Sequence, residues 1–160
     1  MTDLEAARAV AFRYLGYTAR SVAEIERRLA RDNYTEDVIA AVISEFTAQG
    51  LLDDSAFARN WLADRADRKR YGKGRLAAEL RRKGVDRDTL EEVLETVDAA
   101  AELDRARAAA QQKWRHFVLV GRDHLFIQSE KRRCADFLLR RGFAWPVITQ
   151  VLRELLANQD

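Results

Sequence analysis

The sequence contains little cysteine and proline and no long apolar run. A single cysteine in 160 residues cannot form an internal disulfide, which indicates a reducing compartment such as the cytoplasm. The bulkiest apolar run, Phe-Val-Leu-Val at residues 117–120, is far shorter than the roughly 20 residues of a membrane span. The residues after Met1 are acidic, where a secretory signal would be basic. We therefore expect a cytoplasmic protein without a membrane partner.

One proline and seven glycines leave few places for hairpins, whereas apolar residues recur at helical spacing along most of the chain. Gly16 is a candidate end for the first helix. Ser21 with Glu24 forms a capping-box pattern, and Thr35 is a candidate cap for the helix after it. Either Asp53 or Asp54 could cap the fourth helix, Asp98 could cap the seventh, and Pro146 suits the first turn of the last. The sequence predicts an all-α protein.

The helical pattern repeats twice along the chain, after 51 residues and after a further 58. In each copy, two apolar positions are followed by a residue type that tolerates positive φ beyond a helix end. This register predicts three tandem three-helix repeats, about nine helices, in an elongated, curved array. The expected repeats are residues 1–52, 53–97 and 98–160. The longer second spacing falls in residues 115–128, where a hairpin, an extended helix and a loop all stay open. The equivalent positions are Ile25, Leu76 and Cys134; Leu29, Leu80 and Leu138; and Asn33, Gly84 and Gly142.

Residues with the spacing of a catalytic or metal site are scarce. The run Gly-Lys-Gly at 72–74 lacks the remaining residues of a phosphate-binding loop. His116 and His124 do not fall at zinc-ligand spacings. Cys134 shares its repeat position with Ile25 and Leu76, so we expect a core side chain and not a nucleophile. We expect no enzyme, no cofactor, no metal and no small-molecule substrate.

Basic residues occur at equivalent positions of the repeats, although the net charge is only +2. Arg31, Arg82 and Arg140 correspond, and Arg75 and Arg133 lie seven residues before the last two, on the same helix face. Pairing along a helix, such as Glu24 with Arg28, would explain some of them, but the helix from residue 73 to 83 offers only Glu79 as a partner. We therefore predict a basic binding stripe with no catalytic residue. Its expected members are Arg27, Arg28, Arg31, Arg65, Arg68, Lys69, Arg70, Lys73, Arg75, Arg81, Arg82, Lys83, Arg132, Arg133, Arg140 and Arg141.

Three stretches together resemble the RecX family of regulatory proteins, and the resemblance covers essentially the whole chain. They are residues 11–29, with Arg-Ser-Val-Ala-Glu-Ile at 20–25; residues 50–58, Gly-Leu-Leu-Asp-Asp-Ser-Ala-Phe-Ala, continuing to Lys-Gly-Val at 83–85; and residues 138–143, Leu-Leu-Arg-Arg-Gly-Phe. The resemblance implies tandem three-helix repeats. It also implies a regulator that binds the filament of RecA recombinase on DNA and inhibits its ATPase, extension and strand exchange, with a role in DNA repair, recombination and the SOS response. DNA itself, single- or double-stranded, would be a weak and sequence-independent partner.

Two other functions stay open from the residues alone. A freestanding, sequence-independent DNA-binding protein could use helix-turn-helix-like units with basic helices on the duplex. A helical scaffold protein without any link to DNA would also show this periodicity.

Overall fold

The computed structural model describes residues 2–114 and 122–157, and within these ranges it contains nine helices and no strand. The all-α prediction with about nine helices is confirmed. Of the segment left open by the sequence, residues 124–128 form the start of the eighth helix, whereas 115–121, including His116, lie outside the described residues. The helices are α1 Asp3–Tyr17, α2 Val22–Arg31, α3 Glu36–Ala48, α4 Asp54–Lys69, α5 Lys73–Arg82, α6 Arg87–Glu95, α7 Ala99–Trp114, α8 His124–Arg140 and α9 Trp145–Ala157.

The chain divides into two compact units, and each contains parts of α4 and α5. Unit 1 consists of Met1–Trp61 and Glu79–Val93, and unit 2 of Leu62–Ala78 and Leu94–Asp160. The boundaries of the three sequence repeats stay a prediction. None of the helices in the described ranges is both long and apolar enough to cross a membrane.

The core of unit 1 forms where α1, α2 and α3 pack against one another. Ile25 and Leu29 of α2 are fully buried there, as their apolar spacing predicts. Small residues on α1 let the helices approach closely. The buried residues of this cluster are Ala7, Ala11, Ile25, Leu29, Val42, Phe46 and Leu52.

The core of unit 2 lies between α7, α8 and α9. Cys134 is completely buried in this core, and burial raises the pKa of its thiol to about 11. The prediction of a core side chain is confirmed, and the thiol is protonated at neutral pH. The buried residues of this cluster are Ala106, Ala109, Ala110, Trp114, Cys134, Ala135, Leu138, Phe143, Ile148 and Val151.

The three predicted helix ends share one backbone geometry. Asn33, Gly84 and Gly142 have φ angles of 65°, 81° and 87°, in the left-handed region. In each case the amide of the next residue donates to the carbonyl of a fully buried leucine five residues earlier, at 3.1 to 3.2 Å. This bond satisfies a carbonyl that the helix end would otherwise leave unpaired. The capping prediction is confirmed, and the leucines are Leu29, Leu80 and Leu138.

The predicted helix starts are found in the structure, whereas one predicted helix end is wrong. Ser21 and Glu24 form the reciprocal capping box, and Thr35 and Asp98 accept from the amides three residues later. Pro146 is the second residue of α9. Gly16, however, is not the end of α1, which continues to Tyr17; the prediction of a stop there is wrong. A glycine without positive φ does not end a helix when the next residue keeps helical geometry.

Carboxylates from later helices cap the starts of earlier ones. Asp53 caps its own helix by accepting from the Ala56 amide at 3.0 Å, so Asp54 is left for another role. In unit 1, Asp54 of α4 accepts from the Val22 amide at the start of α2, at 2.9 Å. In unit 2, the buried Glu102 of α7 accepts from the Lys73 amide at the start of α5, at 2.8 Å. Each bond satisfies an amide that has no partner inside its own helix.

Candidate functional site

A groove in unit 1 collects four basic side chains. The end of α5 approaches α2 and its cap: the Ser21 hydroxyl donates to the Lys83 carbonyl at 2.5 Å, and Arg27 Nη2 donates to the Arg82 carbonyl at 3.4 Å. The groove has a volume of about 280 Å³. We call it the arginine groove, and its lining residues are Tyr14, Glu24, Arg27, Arg31, Arg82 and Lys83.

Glu24 is the acidic member of the arginine groove, and it is already paired. Its Oε1 lies 2.7 Å from Lys83 Nζ and 3.8 Å from Arg20 Nη1. Partial burial raises the pKa of Glu24, but the hydrogen bonds from Lys83 and from the Ser21 amide outweigh it, so the pKa is lowered overall. Glu24 is therefore ionised at neutral pH and neutralises Lys83.

Arg31 and Arg82 are the last residues of α2 and α5, which places them at equivalent points of two repeats. Both side chains are exposed, and neither forms an ion pair or a hydrogen bond within the described ranges 2–114 and 122–157. The helix dipole favours a cation at a helix C-terminus, so it stabilises both arginines at these positions. Two uncompensated guanidinium groups in one groove, next to Arg27, can together donate hydrogen bonds to an anion.

The structure corrects one predicted ion pair and shows the partners of several basic residues near the arginine groove. Arg28 pairs with Asp32 at 3.0 Å and not with Glu24, because Glu24 turns toward Lys83. Arg28 also lies 5.8 Å from the Tyr14 ring, which Arg20 covers at 4.0 Å. Glu79 is the one acidic residue between positions 73 and 83, as the sequence shows, but Lys83 also finds a partner outside this stretch, in Glu24 of α2.

A second group of basic residues surrounds Tyr71 in unit 2. The guanidinium carbon of Arg75 lies 4.2 Å from the centre of the Tyr71 ring, and that of Arg141 lies at 5.8 Å. Arg75 Nη1 also donates to the Arg140 carbonyl at 3.4 Å, and Arg141 Nη1 donates to the Lys69 carbonyl. Cations over an aromatic face are held in place electrostatically. We call Tyr71, Arg75, Arg140 and Arg141 the tyrosine cluster.

The tyrosine cluster depends on glycines at a helix junction. The Gly72 amide donates to the Arg141 carbonyl at 2.8 Å, and the Gly74 amide donates to the Gly142 carbonyl at 3.0 Å. A Cβ on Gly142 would lie 2.2 Å from the Arg75 amide nitrogen, and one on Gly72 would lie 2.5 Å from the Gly142 oxygen. The start of α5 can therefore contact the end of α8 at this distance without a side chain between them.

The remaining predicted stripe residues do not join these two groups. Arg133 pairs with Glu130, whose side chain is only 3% exposed, and Arg68 pairs with Asp64. Arg70 donates to Gln112, and the backbone amide of Lys73 is held by Glu102. Arg65 is half-buried, Lys69 and Arg81 are exposed, and Arg132 lines a different groove of unit 2.

Sequence reasoning missed the two tyrosines that lie under guanidinium groups. Tyr71 sits inside the basic run of residues 65–83, and an aromatic residue within such a run is a usable signal for a cation–π contact. Tyr14 gave no such signal, because the arginines around it lie outside its own helix, Arg20 in the loop before α2 and Arg28 in α2. In the described ranges, no three His, Cys, Asp or Glu side chains group as metal ligands would.

Two family models match the chain. The first three-helix domain of RecX matches residues 7–46, and the second three-helix domain of RecX matches residues 53–94. These matches lie within the first and second sequence repeats.

Relatives and solved structures agree with this match. The regulatory protein RecX of Mycobacterium avium (strain 104) is 40% identical over 157 residues, which cover 98% of this chain and 88% of the relative. That of Mycobacterium tuberculosis (strain ATCC 25177 / H37Ra) is 36% identical over 159 residues, covering 98% and 90%. The crystal structure of RecX from Lactobacillus salivarius is similar in fold, with a TM-score of 0.83, 20% identity and 96% of each chain covered. From the family models and this identity over nearly the full length, the chain belongs to the RecX family of regulatory proteins.

Proposed function

We propose that the chain regulates RecA recombinase by binding the RecA–DNA filament and inhibiting its ATP hydrolysis, extension and strand exchange, thereby modulating DNA repair and recombination. Membership of a family of regulatory proteins supports a regulatory role, and the resemblance found in the sequence names RecA as the partner. The observation that carries the proposal is the pair Arg31 and Arg82, two uncompensated guanidinium groups in the arginine groove.

The chemistry of the arginine groove suits a filament of protein and DNA. Guanidinium groups bind carboxylates and phosphates through two parallel hydrogen bonds, so either an acidic protein surface or a phosphodiester could occupy the groove. Phosphate contacts carry no sequence information, which suits a regulator that must act wherever a filament forms. The protein would need no nucleotide of its own, since tighter binding to one filament state shifts its population.

The tyrosine cluster is proposed as a second contact. Arg75 and Arg141 are partly held by the Tyr71 ring, so less conformational entropy is lost when they meet an anion. Arg140 is exposed at the end of α8 and extends the same group of positive charges in unit 2.

The decisive experiment is a RecA ATPase assay on single-stranded DNA with increasing amounts of the protein. We expect inhibition by the parent chain and at least about a tenfold higher half-inhibitory concentration for the double variant Arg31→Glu with Arg82→Glu, because like charges repel at a desolvated contact. The matched control reverses two exposed arginines that do not line the groove, Arg13→Glu with Arg153→Glu, and changes the net charge equally. Circular dichroism checks that helix content is unchanged. Equal loss in both variants would remove the groove from the proposal, and no inhibition by the parent chain would overturn it.

The same variants separate the proposal from a freestanding DNA-binding protein. A DNA-binding protein would bind naked duplex tightly, and its log affinity would fall with log salt with a slope of about −0.9 per neutralised phosphate. A filament regulator would bind RecA on single-stranded DNA much more tightly than either DNA form alone. Tight binding to naked DNA without an effect on the RecA ATPase would favour the DNA-binding protein.

A further inference from the structure

A second groove lies in unit 2, and none of its lining residues belongs to the tyrosine cluster. It has a volume of about 750 Å³, within the range of roughly 300–1,000 Å³ that is usual for ligand sites. We call it the tryptophan groove. The residues that line it are Leu125, Gln128, Ser129, Lys131, Arg132, Ala135, Asp136, Trp145 and Leu152.

The apolar part of the tryptophan groove is unusually exposed. Leu125 near the start of α8 is 80% exposed, and Trp145 at the start of α9 is 58% exposed. Both face a groove that also contains Ala135 and Leu152. Exposed apolar side chains that line one groove are typical of a binding surface, because they contribute little to stability while they remain in water. Tryptophan is also among the residues that contribute most to protein interfaces.

The polar part of the tryptophan groove is positively charged. Lys131 and Arg132 both line it, and neither forms an ion pair or hydrogen bond with any residue that the structure describes. Their neighbour Arg133 differs, because it pairs with Glu130. Asp136 is the one acidic residue in the lining, so the cations exceed the acids in the groove. An occupant that complements this surface has an apolar side chain flanked by carboxylates.

We propose that the tryptophan groove binds an acidic, amphipathic peptide segment of a partner protein. A bulky apolar side chain of that segment packs on Trp145 and Leu125, and its carboxylates pair with Lys131 and Arg132. A single-stranded nucleic acid fits less well, since Asp136 repels phosphates and the lining offers one aromatic ring and two leucines where stacked bases need further aromatic faces. This inference goes beyond the proposed function and uses different residues from the arginine groove.

The test measures binding of a fluorescent peptide in which Asp and Glu alternate with Leu and Phe, by fluorescence anisotropy. We expect saturable binding that weakens roughly tenfold or more in Trp145→Ala and in Arg132→Glu, as at the centre of a protein interface. Leu139→Ser and Arg153→Glu are the matched controls. Leu139 is also an exposed leucine of α8, Arg153 is also an exposed arginine, and neither lines the groove. If thermal melting shows that Trp145→Ala is unfolded, the comparison of Arg132→Glu with its control Arg153→Glu decides the test.

Four results would overturn the inference. The first is equal binding of a peptide in which Lys replaces every acidic residue, and the second is equal weakening of binding in Arg153→Glu. The third is displacement of the peptide from the parent chain by single-stranded oligothymidylate that binds Trp145→Ala poorly. The fourth is a dimer in sedimentation experiments that Trp145→Ala abolishes, because the occupant would then be a second copy. RecA inhibition with Arg31→Glu and Arg82→Glu is measured separately, so failure of either proposal leaves the other standing.

Discussion

Gly84, just beyond the end of α5, lies so close to Ala23 of α2 that a Cβ added to Gly84 would be 2.3 Å from the Cβ of Ala23. The same glycine has a φ of 81°, a conformation that residues with a Cβ rarely adopt. Glycine is therefore required here for two independent reasons, the backbone conformation and the space between two helices. The arginine groove depends on this contact, since Arg82 and Lys83 directly precede Gly84.

Gly84→Ala should destabilise the protein more than Gly50→Ala. Both residues have positive φ, but a Cβ on Gly50 would meet no atom within 4 Å. We expect Gly50→Ala to lower the free energy of unfolding by about 1 kcal/mol through backbone strain alone. Gly84→Ala should lose about 1–3 kcal/mol more from overpacking. Urea denaturation monitored by circular dichroism measures both, and equal losses would show that the helices separate without cost.

Replacing Ala23 by glycine tests the contact from the other side. Ala23→Gly alone should cost about 1 kcal/mol, as for glycine inside a helix. Combined with Gly84→Ala, it should cost less than the sum of the two single variants, because the Cβ that collides has been removed. Strict additivity in this double-mutant cycle would mean that the Cβ at residue 84 is accommodated elsewhere.

Asp54→Asn should gain stability relative to the parent chain as the pH rises. Burial raises the pKa of Asp54 above its ordinary 3.8, and the nearby carboxylates of Asp86, Asp53 and Glu24 add to this despite the hydrogen bond from the Val22 amide. A raised carboxyl pKa gives a contribution to stability that is complete below the unfolded pKa and is lost as the pH rises through the folded pKa. The amide variant still accepts from Val22 and carries no charge.

Urea denaturation of the parent chain and Asp54→Asn over a series of pH values measures this difference. The free energy of unfolding of the variant should rise relative to the parent from acidic to neutral pH. Asp54→Ala serves as the control, since it removes the acceptor for Val22 and should cost about 1 kcal/mol, as for a lost helix cap. A penalty for Asp54→Asn that is the same at every pH would contradict the raised pKa.

Glu154→Gln should reduce the dependence of the free energy of unfolding on pH in the acidic range. Arg107 of α7 binds Glu154 of α9 through two hydrogen bonds of 2.6 and 2.8 Å. These bonds lower the pKa of Glu154 from 4.5 to about 2, with a further contribution from Gln150. A lowered pKa gives stability that is present above pH 4.5 and is lost as the pH falls toward about 2.

Acid titration of the folded state, followed by circular dichroism, tests this pair. The parent chain should lose stability between pH 4.5 and about 2 more steeply than Glu154→Gln. The exposed pair of Arg87 and Glu91 lies within one helix and provides the control, because Glu91→Gln removes a surface interaction of little value. Identical acid transitions for the parent and Glu154→Gln would show that the pair does not link α7 to α9 energetically.

Much of the fold followed from local patterns. Apolar spacing identified Ile25, Leu29 and Leu138 as core residues, and residue types that tolerate positive φ identified the helix ends at Asn33, Gly84 and Gly142. The choice between Asp53 and Asp54 could not be made from the sequence. Both residues are good caps, and the second is used by the start of α2, far away in the chain.

The candidate site could be predicted from the sequence less completely than the fold. Repeat equivalence of Arg31 and Arg82 correctly put two arginines at matching helix ends, and the structure of unit 1 brings both into one groove. The same reasoning did not show that Arg133 differs from the unpaired arginines. Arg133 forms an ion pair with Glu130, a nearly buried residue of the same helix. A repeat shows which positions are equivalent, whereas partners such as Glu24 and Tyr71 depend on the neighbours of each position.

The sequence by itself predicted the helices, most of their caps and ends, and the membership of the RecX family. These features rest on interactions within a few residues or on a pattern spread over the whole chain. Only the tertiary structure decided which charges are compensated. Lys83 is neutralised by a glutamate 59 residues away, whereas Arg31 and Arg82 have no acidic partner among the residues that the structure describes. Ion pairs form only between side chains that packing brings within a few ångströms.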